Sequence, residues 1–229
     1  MTSLPIHIAV SERLAREIQA GLRADGSRLP PERALAAELG IAVGTLRKAL
    51  ADLAEKGLLE RVHGSGNYVR NASGAQTLYS FFRLERPEGG GLPTARVLDV
   101  ERKPKPAQMP GIGDARDGVR IRRRRMLDGR DAALEEIWLD AEMAGEAVSG
   151  AMPESLYQFY REALGLVVSR VTDRVSVAPP PHWRPRDFTS RHDVWGLVER
   201  TAFDQGDRAI EWSRTWFDPA KTSYVSRSA

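Results

Sequence analysis

Residues 29–70 read LPPERALAAELGIAVGTLRKALADLAEKGLLERVHGSGNYVR, and this stretch decides the fold of the first part of the chain. Pro30 suits the first turn of a helix, and the apolar residues after it recur at helical spacing until Gly40. A second run with helical period covers 44–56 and stops at Gly57. The spacing therefore predicts two helices joined by a tight turn.

A two-stranded ribbon is predicted directly after these helices. Short strand-like segments over 58–62 and 67–70 flank the glycine-rich turn His63-Gly64-Ser65-Gly66. An apolar repeat upstream predicts a leading helix over about residues 10–22. This order of elements is typical of a winged helix-turn-helix, a fold that places one helix in the DNA major groove. The sequence therefore indicates a DNA-binding protein.

The segments LPPERALAAELG, TLRKALADL and KGLLERVHGSGNYV resemble the DNA-binding domain of the GntR family of bacterial transcription regulators over about residues 6–70. Helices, turn and wing match in order, so the resemblance is specific. It implies that DNA contacts come from the start of the first motif helix, from the recognition helix and from the wing tip. The residues concerned are Arg33, Thr45, Arg47, Lys48, His63 and Gly64.

One position departs from the family pattern. The family usually carries an arginine that reads a guanine just before the recognition helix, whereas this chain has Val43 there. An arginine–guanine pair contributes about 1–3 kcal/mol of base discrimination. We therefore expect an operator sequence that differs from the usual half-site.

The composition is that of a globular protein with a core. The chain has 229 residues, 41% hydrophobic and 28% charged, with a net charge of only +3. No apolar run is long enough to span a membrane, and we identify no signal peptide. The absence of cysteine excludes disulfides and thiol nucleophiles, and the four histidines lack metal-ligand spacing. We expect a cytoplasmic protein without a cofactor or metal.

The remainder of the chain is predicted to be an α+β domain dominated by antiparallel strands. Residues 71–77 are small and polar and predict a linker, and 155–164 predict an amphipathic helix. Loops are expected over 85–93, 104–113 and 178–187. Strands are expected over 96–100, 118–127, 132–139, 170–177, 195–204 and 209–217.

The strand GVRIRRRRMLDG carries the strongest chemical signal. Because side chains alternate between faces, Arg123 and Arg125 share a face with Val119 and Ile121. If this face is the core, both arginines point inward and need carboxylates or an anionic ligand. Two alternatives remain open at this point: a face that becomes solvent-exposed, with all five arginines hydrated, or a nuclear localisation run.

Residues of about 78–225 resemble a UTRA domain, the effector-sensing module of the HutC branch of the GntR family. The matching motifs are Arg123–Gly129 with Glu135, then Ser155-Leu156-Tyr157, and a looser match around Glu211. The resemblance implies a chorismate-lyase-like antiparallel sheet with a small-molecule pocket. It implies that the pocket is lined by Arg123, Arg125, Glu135, Ser155, Tyr157 and Glu211.

Several features leave the ligand open. Asp131 stands where the family has proline, and Phe217 stands where an aromatic hydroxyl is frequent. Glu135 could equally form a salt bridge to the arginines of the neighbouring strand, and Tyr157 could belong to the core. The expected domains are a winged helix-turn-helix over 1–70, the linker, and the effector-binding and dimerisation domain over 78–229.

These expectations together describe a transcription regulator. We expect a homodimeric repressor that binds a pseudo-palindromic operator in double-stranded DNA and is released by a small anionic metabolite. The alternative from another class is a lyase-like enzyme with an appended DNA-binding module, although no catalytic set of residues converges in the sequence. A third interpretation is a regulator that has lost its ligand and responds to protein partners.

The substitution Val43→Arg tests the altered DNA recognition. We expect base preference to shift toward guanine at one position of each half-site, because the guanidinium can donate two hydrogen bonds to that base. Selection of binding sites from a random DNA pool measures the preference of both proteins. An unchanged selected sequence would contradict the prediction.

Overall fold

The computed structural model describes residues 5–19, 21–70, 79, 81–145, 148, 152 and 155–227. The linker expected at 71–77 lies outside the described residues. The described residues form two compact units. One extends to Leu92 and also includes the C-terminal residues from Val225, and the other covers Pro93 to Tyr224. Each unit is described by itself below.

The first unit is built on three helices. These are α1 (Ile6–Gln19), α2 (Glu32–Glu38) and α3 (Val43–Glu55). Their apolar stripes meet in one core, in which Leu14, Leu35 and Leu46 are fully buried. The helix-turn-helix predicted from the spacing is therefore present, with α3 as its second helix.

Glycines end the two motif helices as expected. Gly40 follows α2 with φ 66°, and Gly57 follows α3 with φ 72°, both in the left-handed region that glycine adopts without strain. The prediction for the leading helix was wrong at both ends. Helix α1 covers 6–19 and not 10–22, because Gly21 turns the chain with φ 74° and leaves Leu22 exposed.

The wing follows α3 directly. Strands β1 (Leu59–Val62) and β2 (Gly66–Val69) pair antiparallel, with Leu59 opposite Val69 and Val62 opposite Gly66. Leu59 and Val69 are buried in the helical core, which fixes the ribbon at its base. The turn between the strands is exposed at His63 and Gly64.

The last part of the first unit was not predicted. The short strand β3 (Leu84–Glu85) overlaps the first residue of the loop expected over 85–93. Arg16 of α1 donates hydrogen bonds to three carbonyl oxygens there, at 2.8 Å from Gly91 and 2.7 Å from Leu84, with the third at Phe82. Because nearly all donors of a buried guanidinium need acceptors, this arginine fixes the loop against α1.

The second unit is a six-stranded antiparallel sheet in the order β4-β5-β6-β9-β8-β7. Two short helices, α4 (Ala141–Ala144) and α5 (Leu156–Ala163), follow the third strand. The strands are β4 (Pro93–Pro104), β5 (Asp117–Leu127), β6 (Arg130–Asp140), β7 (Val168–Ala178), β8 (Trp195–Asp204) and β9 (Ala209–Phe217), followed by the short β10 (Ser223–Tyr224).

The α+β prediction is thus confirmed. The predicted strands over 195–204 and 209–217 have the observed bounds, whereas the first strand is much longer than the expected 96–100. The loop expected from 104 begins where β4 ends, at Pro104. None of the described helices is long and apolar enough to cross a membrane.

The two faces of the sheet are covered differently. Helix α5 packs on one face, where Tyr160 and Leu156 meet Ile121 and Ile137. The opposite face is covered at one end by the loop after β4 through Ile112. At its other end the loop after β7 brings Phe188 and Trp183 onto Trp195 and Trp216. Of the residues expected to bind an effector, Arg123, Arg125, Glu135 and Glu211 lie on the sheet face under α5, and Ser155 and Tyr157 belong to α5 and its N-cap.

Substitution of Gly196 by alanine tests the close packing of the sheet. Gly196 lies opposite Phe217 in the β8–β9 register, and an added Cβ would overlap the phenyl ring. We expect Gly196→Ala to lower the free energy of unfolding by about 1–3 kcal/mol, the usual cost of overpacking. Urea denaturation of the variant and of the wild type measures this change in the free energy of unfolding.

Gly111→Ala is the matched control, since no atom lies within 4 Å of the position of its Cβ. Its free energy of unfolding should be unchanged or slightly higher. Equal stability of the two variants would show that the Phe217 ring moves aside without cost.

Candidate functional site

The residues expected to contact DNA lie on the surface of the first unit. Arg33 is exposed on the first turn of α2, and Arg47 and Lys48 are exposed on α3. Thr45 is half-buried near the start of α3. These helix positions and the exposed turn of the wing provide two elements that can contact DNA. One is a helix for the major groove, and the other is the hairpin beside it.

An ion pair and a hydrogen bond connect the start of α2, α3 and the wing. The Arg47 Nε atom lies 2.7 Å from a carboxylate oxygen of Glu32. Arg61 of the wing donates a hydrogen bond to the Arg47 carbonyl oxygen at 3.2 Å. A cavity of about 580 Å³ is lined by Glu32 and by residues 61–67, including His63 and Gly64. The wing tip and the start of α2 therefore border one recess.

Val43, the position that departs from the family pattern, is the first residue of α3. Its side chain is half-buried and packs against the helical core. Gly44 beside it is exposed, with no atom within 4 Å of the position of a Cβ. The first turn of the recognition helix therefore offers an apolar residue and bare backbone, and no hydrogen-bond donor from a long side chain.

The five arginines of β5 are all removed from bulk solvent. Arg120, Arg123 and Arg125 are buried, and the side chains of Arg122 and Arg124 are 17% and 13% exposed. The alternative of a hydrated arginine face is therefore wrong. On the face away from α5, the arginines of β5 form ion pairs with carboxylates of the neighbouring strands and of the loop after β7. The carboxylates are those of Asp99, Glu101, Asp131, Glu136 and Asp187.

Arg123 and Arg125 point to the face under α5 and meet Glu135 of β6. Arg123 donates two hydrogen bonds to one carboxylate oxygen of Glu135, at 2.8 and 3.1 Å. The Arg125 Nε atom lies 3.6 Å from the other oxygen. Burial by itself would raise the pKa of Glu135, but the charges of Arg125 and Arg123 outweigh it and hold the pKa below its ordinary value. Of the two interpretations of Glu135, the structure therefore shows the salt bridge to the arginines of the neighbouring strand.

Glu211 of β9 has a different environment. The hydroxyl of Tyr160 donates to one of its oxygens at 2.6 Å, and that of Tyr157 to the other at 3.3 Å. Burial raises the pKa of Glu211, and the Tyr160 hydrogen bond and the charge of Arg200 oppose this effect only in part. The pKa of both tyrosines is raised as well, first by burial and then by Glu211. Glu211 therefore favours its protonated form more than an exposed carboxyl does.

A second ion pair on the same face was missed by the sequence reasoning. Arg200 of β8 donates to both carboxylate oxygens of Asp173 on β7, at 2.6 and 2.7 Å. The Tyr224 hydroxyl donates to the same carboxylate at 2.7 Å, and Arg200 also hydrogen-bonds with Tyr157. The alternation of side chains along a strand could have indicated this pair. Asp173 lies on the same face of β7 as Val171, and Arg200 lies on the same face of β8 as Val198.

The remaining expected residues have identifiable local roles. Ser155 is buried and caps α5, where its hydroxyl accepts a hydrogen bond from the Gln158 backbone N–H at 3.3 Å. Asp131, which replaces the family's proline, pairs with Arg124. Phe217, which replaces an aromatic hydroxyl, packs on Gly196. Across the described part of the chain, no group of three or more potential metal ligands is found.

Comparison with known proteins agrees with both units. The model of the family described as bacterial regulatory proteins, gntR family, matches residues 8–69, and the UTRA domain model matches residues 88–223. The UTRA match alone covers more than half of the chain. The chain therefore belongs to the GntR family of bacterial regulators and carries a UTRA effector domain, as in the HutC branch.

Individual relatives support this assignment. The chain is 50% identical over 226 residues to the HTH-type transcriptional regulator SmoD of Agrobacterium fabrum, covering 98% of this chain and 97% of that protein. It is 27% identical over 224 residues to the mannosyl-D-glycerate transport/metabolism system repressor MngR of Escherichia coli, covering 93% and 92%. The crystal structure of YydK from Bacillus subtilis matches with a TM-score of 0.56 at 17% identity, covering 99% and 100% of the two chains.

The class of protein follows from the family and these relatives. The chain is a transcription regulator with a DNA-binding domain and an effector domain, and the relatives and structural neighbours are regulators and not enzymes. The lyase-like alternative finds no support among them.

The raised pKa of Glu211 predicts a pH dependence of stability. The folded state holds this proton more tightly than the unfolded state, so the stabilisation is complete below the ordinary value of 4.5 and is lost as the pH rises through the folded pKa. Relative to Glu211→Gln, the wild-type protein should become less stable as the pH rises from 4.5. Urea denaturation at a series of pH values measures this difference.

Glu142→Gln is the control, because that side chain is exposed on α4. Its free energy of unfolding should change with pH in parallel with the wild type. If Glu211→Gln is also parallel to the wild type, the proton is not held more tightly in the folded state.

Proposed function

We propose that this protein is a repressor that binds a pseudo-palindromic operator as a homodimer and is released by a small anionic metabolite. The observation that carries the proposal is the buried cluster of Arg123, Arg125 and Glu135 on the effector domain of a GntR regulator. Two guanidinium groups and a carboxylate are gathered there in a buried position, and guanidinium groups are well suited to bind an anionic ligand.

The relatives favour the same interpretation. MngR is named as a repressor of a mannosyl-D-glycerate system, and a glycerate group is an anion. By analogy, the ligand of this chain is an anionic metabolite, and the protein acts in the cytoplasm, where such a metabolite accumulates.

On the DNA side, the proposed contacts are Arg33 on α2, Thr45, Arg47 and Lys48 on α3, and the wing tip at His63 and Gly64. The exposure of Arg33, Arg47, Lys48 and the wing tip on a winged helix-turn-helix supports this assignment. Arg47 also pairs with Glu32, which places its guanidinium beside the start of α2. Because the wing and the recognition helix read one half-site, two copies read a two-fold symmetric operator.

Release from DNA requires two states with different affinities. The effector must bind more tightly to the state that does not hold the operator, because a ligand with equal affinity for both shifts nothing. By linkage, operator DNA then lowers the affinity for the effector by the same factor. The proposed effector residues are Arg123, Arg125, Glu135, Ser155, Tyr157 and Glu211.

Two variants separate DNA binding from effector response. Arg33→Ala should weaken binding to the DNA upstream of the gene and lower the salt dependence of binding, with a slope reduced by about 1 if the contact is to phosphate. Arg123→Ala should bind the same DNA normally but should no longer respond to an anion. Fluorescence anisotropy with labelled DNA, with and without sugar phosphates and carboxylates, measures both properties.

Lys103→Ala is the control, since Lys103 lies on β4 and pairs with Glu101. It should leave DNA binding and effector response as in the wild type. Intact effector affinity and intact release in Arg123→Ala would reject the proposed effector site. Normal DNA binding by Arg33→Ala would reject the assignment of that contact.

A further inference from the structure

The sheet face opposite α5 holds a cavity of about 370 Å³. Its walls are Glu136 of β6, Arg214 and Trp216 of β9, and residues 178–183, which end β7 and begin the loop after it. A cavity of this volume falls within the range of small-molecule sites. None of these residues belongs to the proposed effector cluster, which lies on the other face of the sheet.

The loop that closes this cavity is fixed by its own side chains. Phe188 packs on Trp195 with ring centroids 5.4 Å apart, and Trp183 meets Trp216 edge to face at 6.0 Å and 88°. Residues 179–181 are all proline, which restricts the backbone and brings no N–H donor to the wall. The walls are therefore formed before a ligand binds, which lowers the entropic cost of binding.

The loop wall favours a planar apolar group. Trp183 is half-buried, so part of its ring system remains accessible, whereas Trp216 is almost fully buried. An aromatic ring packed against an indole gains about 0.5–1.5 kcal/mol beyond the burial of its area. The neighbouring prolines extend this apolar surface.

Arg214 supplies the charged group of the wall. Its side chain is 34% exposed, and its Nε atom lies 3.5 Å from a carboxylate oxygen of Glu199. Among the described residues, none accepts a hydrogen bond from this Nε atom. The guanidinium lies 4.8 Å from the centroid of the Trp216 ring, which holds it in place. A guanidinium stacked in this way can still donate two parallel hydrogen bonds to a carboxylate.

Glu136, the other charged residue of the wall, is already engaged. One of its oxygens accepts a hydrogen bond from Arg122 at 2.8 Å, and the other accepts one from the Trp138 indole at 3.2 Å. Its charge is therefore matched, and it has little capacity left for a ligand amine or hydroxyl. The cavity thus offers one available guanidinium beside an apolar wall.

We propose that this cavity is a second ligand site of the regulator and binds a small aromatic carboxylate. The carboxylate of the ligand binds Arg214, and its ring packs against Trp183 and the prolines of the loop. The inference goes beyond the proposed function and does not depend on it, because no residue of the face under α5 takes part. The effector domain then has a ligand site on each face of one sheet.

Isothermal titration of the full-length protein with three matched probes tests this inference. Phenylacetate carries the ring and the charge, phenylacetamide lacks the charge, and cyclohexylacetate lacks the aromatic ring. Phenylacetate should bind about tenfold more tightly than phenylacetamide, the effect of a hydrogen bond to a charged group. It should bind about threefold more tightly than cyclohexylacetate, the effect of an aromatic pair.

Variants of the wall identify the site. Arg214→Gln should weaken phenylacetate by about tenfold and leave phenylacetamide unchanged. Arg214→Lys keeps the charge but not the two-pronged geometry, so it should give a smaller loss. Glu199→Gln should strengthen phenylacetate binding, because it removes the carboxylate that competes for Arg214.

Arg174→Gln is the matched control. Arg174 is exposed on β7 and lies on the same sheet face as Arg214, two strands away, but does not line the cavity. Its affinity for all three probes should equal that of the wild type. Thermal unfolding of each variant verifies the fold.

Three results would overturn the inference. One is equal affinity for phenylacetate and either of the other probes, which includes the absence of binding. Another is an unchanged phenylacetate affinity in both Arg214→Gln and Glu199→Gln. The third is loss of phenylacetate binding in Arg125→Gln, which would place the ligand on the face under α5.

Discussion

The cost of burying arginine is the constraint on which the effector domain depends. Strand β5 carries five arginines, four of them consecutive, and an unpaired guanidinium cannot be buried without a large loss of stability. The register therefore has to bring a carboxylate to each. On the face away from α5 one cross-strand row alternates in charge over all six strands: Asp99, Arg122, Glu136, Arg214, Glu199 and Arg174. A slip of one residue would break the pairs of this row together.

Buried arginines on the face under α5 also need carboxylate partners. On this face, however, apolar residues such as Ile121 and Ile137 lie between the charged residues and pack against α5. Charges remain only where Glu135 and Asp173 can meet them. Charge pairing and packing thus share one surface, and the resulting cluster of Arg123, Arg125 and Glu135 is buried.

The helix-turn-helix unit depends less on charge and more on spacing. Its core was predictable because Leu35, Leu46 and Leu53 recur with helical period and glycines mark the ends of α2 and α3. The prediction of α1 was wrong by several residues because an apolar residue, Leu22, extended the periodicity beyond the turn at Gly21. The short strand β3 was missed because two residues before a glycine-rich segment give no periodic signal.

The sequence by itself determined the family, the order of elements and the common face of Arg123 and Arg125, since these follow from motifs and local periodicity. Burial in the structure decided that this face points inward. Only the tertiary structure decided which groups meet. Glu135 lies 12 positions from Arg123, but Asp173 and Arg200 are 27 positions apart and Tyr160 and Glu211 are 51 apart. Strand order sets those encounters, and nothing local in the chain encodes it. Both Glu135 and Glu211 are buried, and their partners decide the direction of the pKa shift: guanidinium groups lower the pKa of Glu135, whereas the pKa of Glu211, beside two tyrosine hydroxyls, is raised.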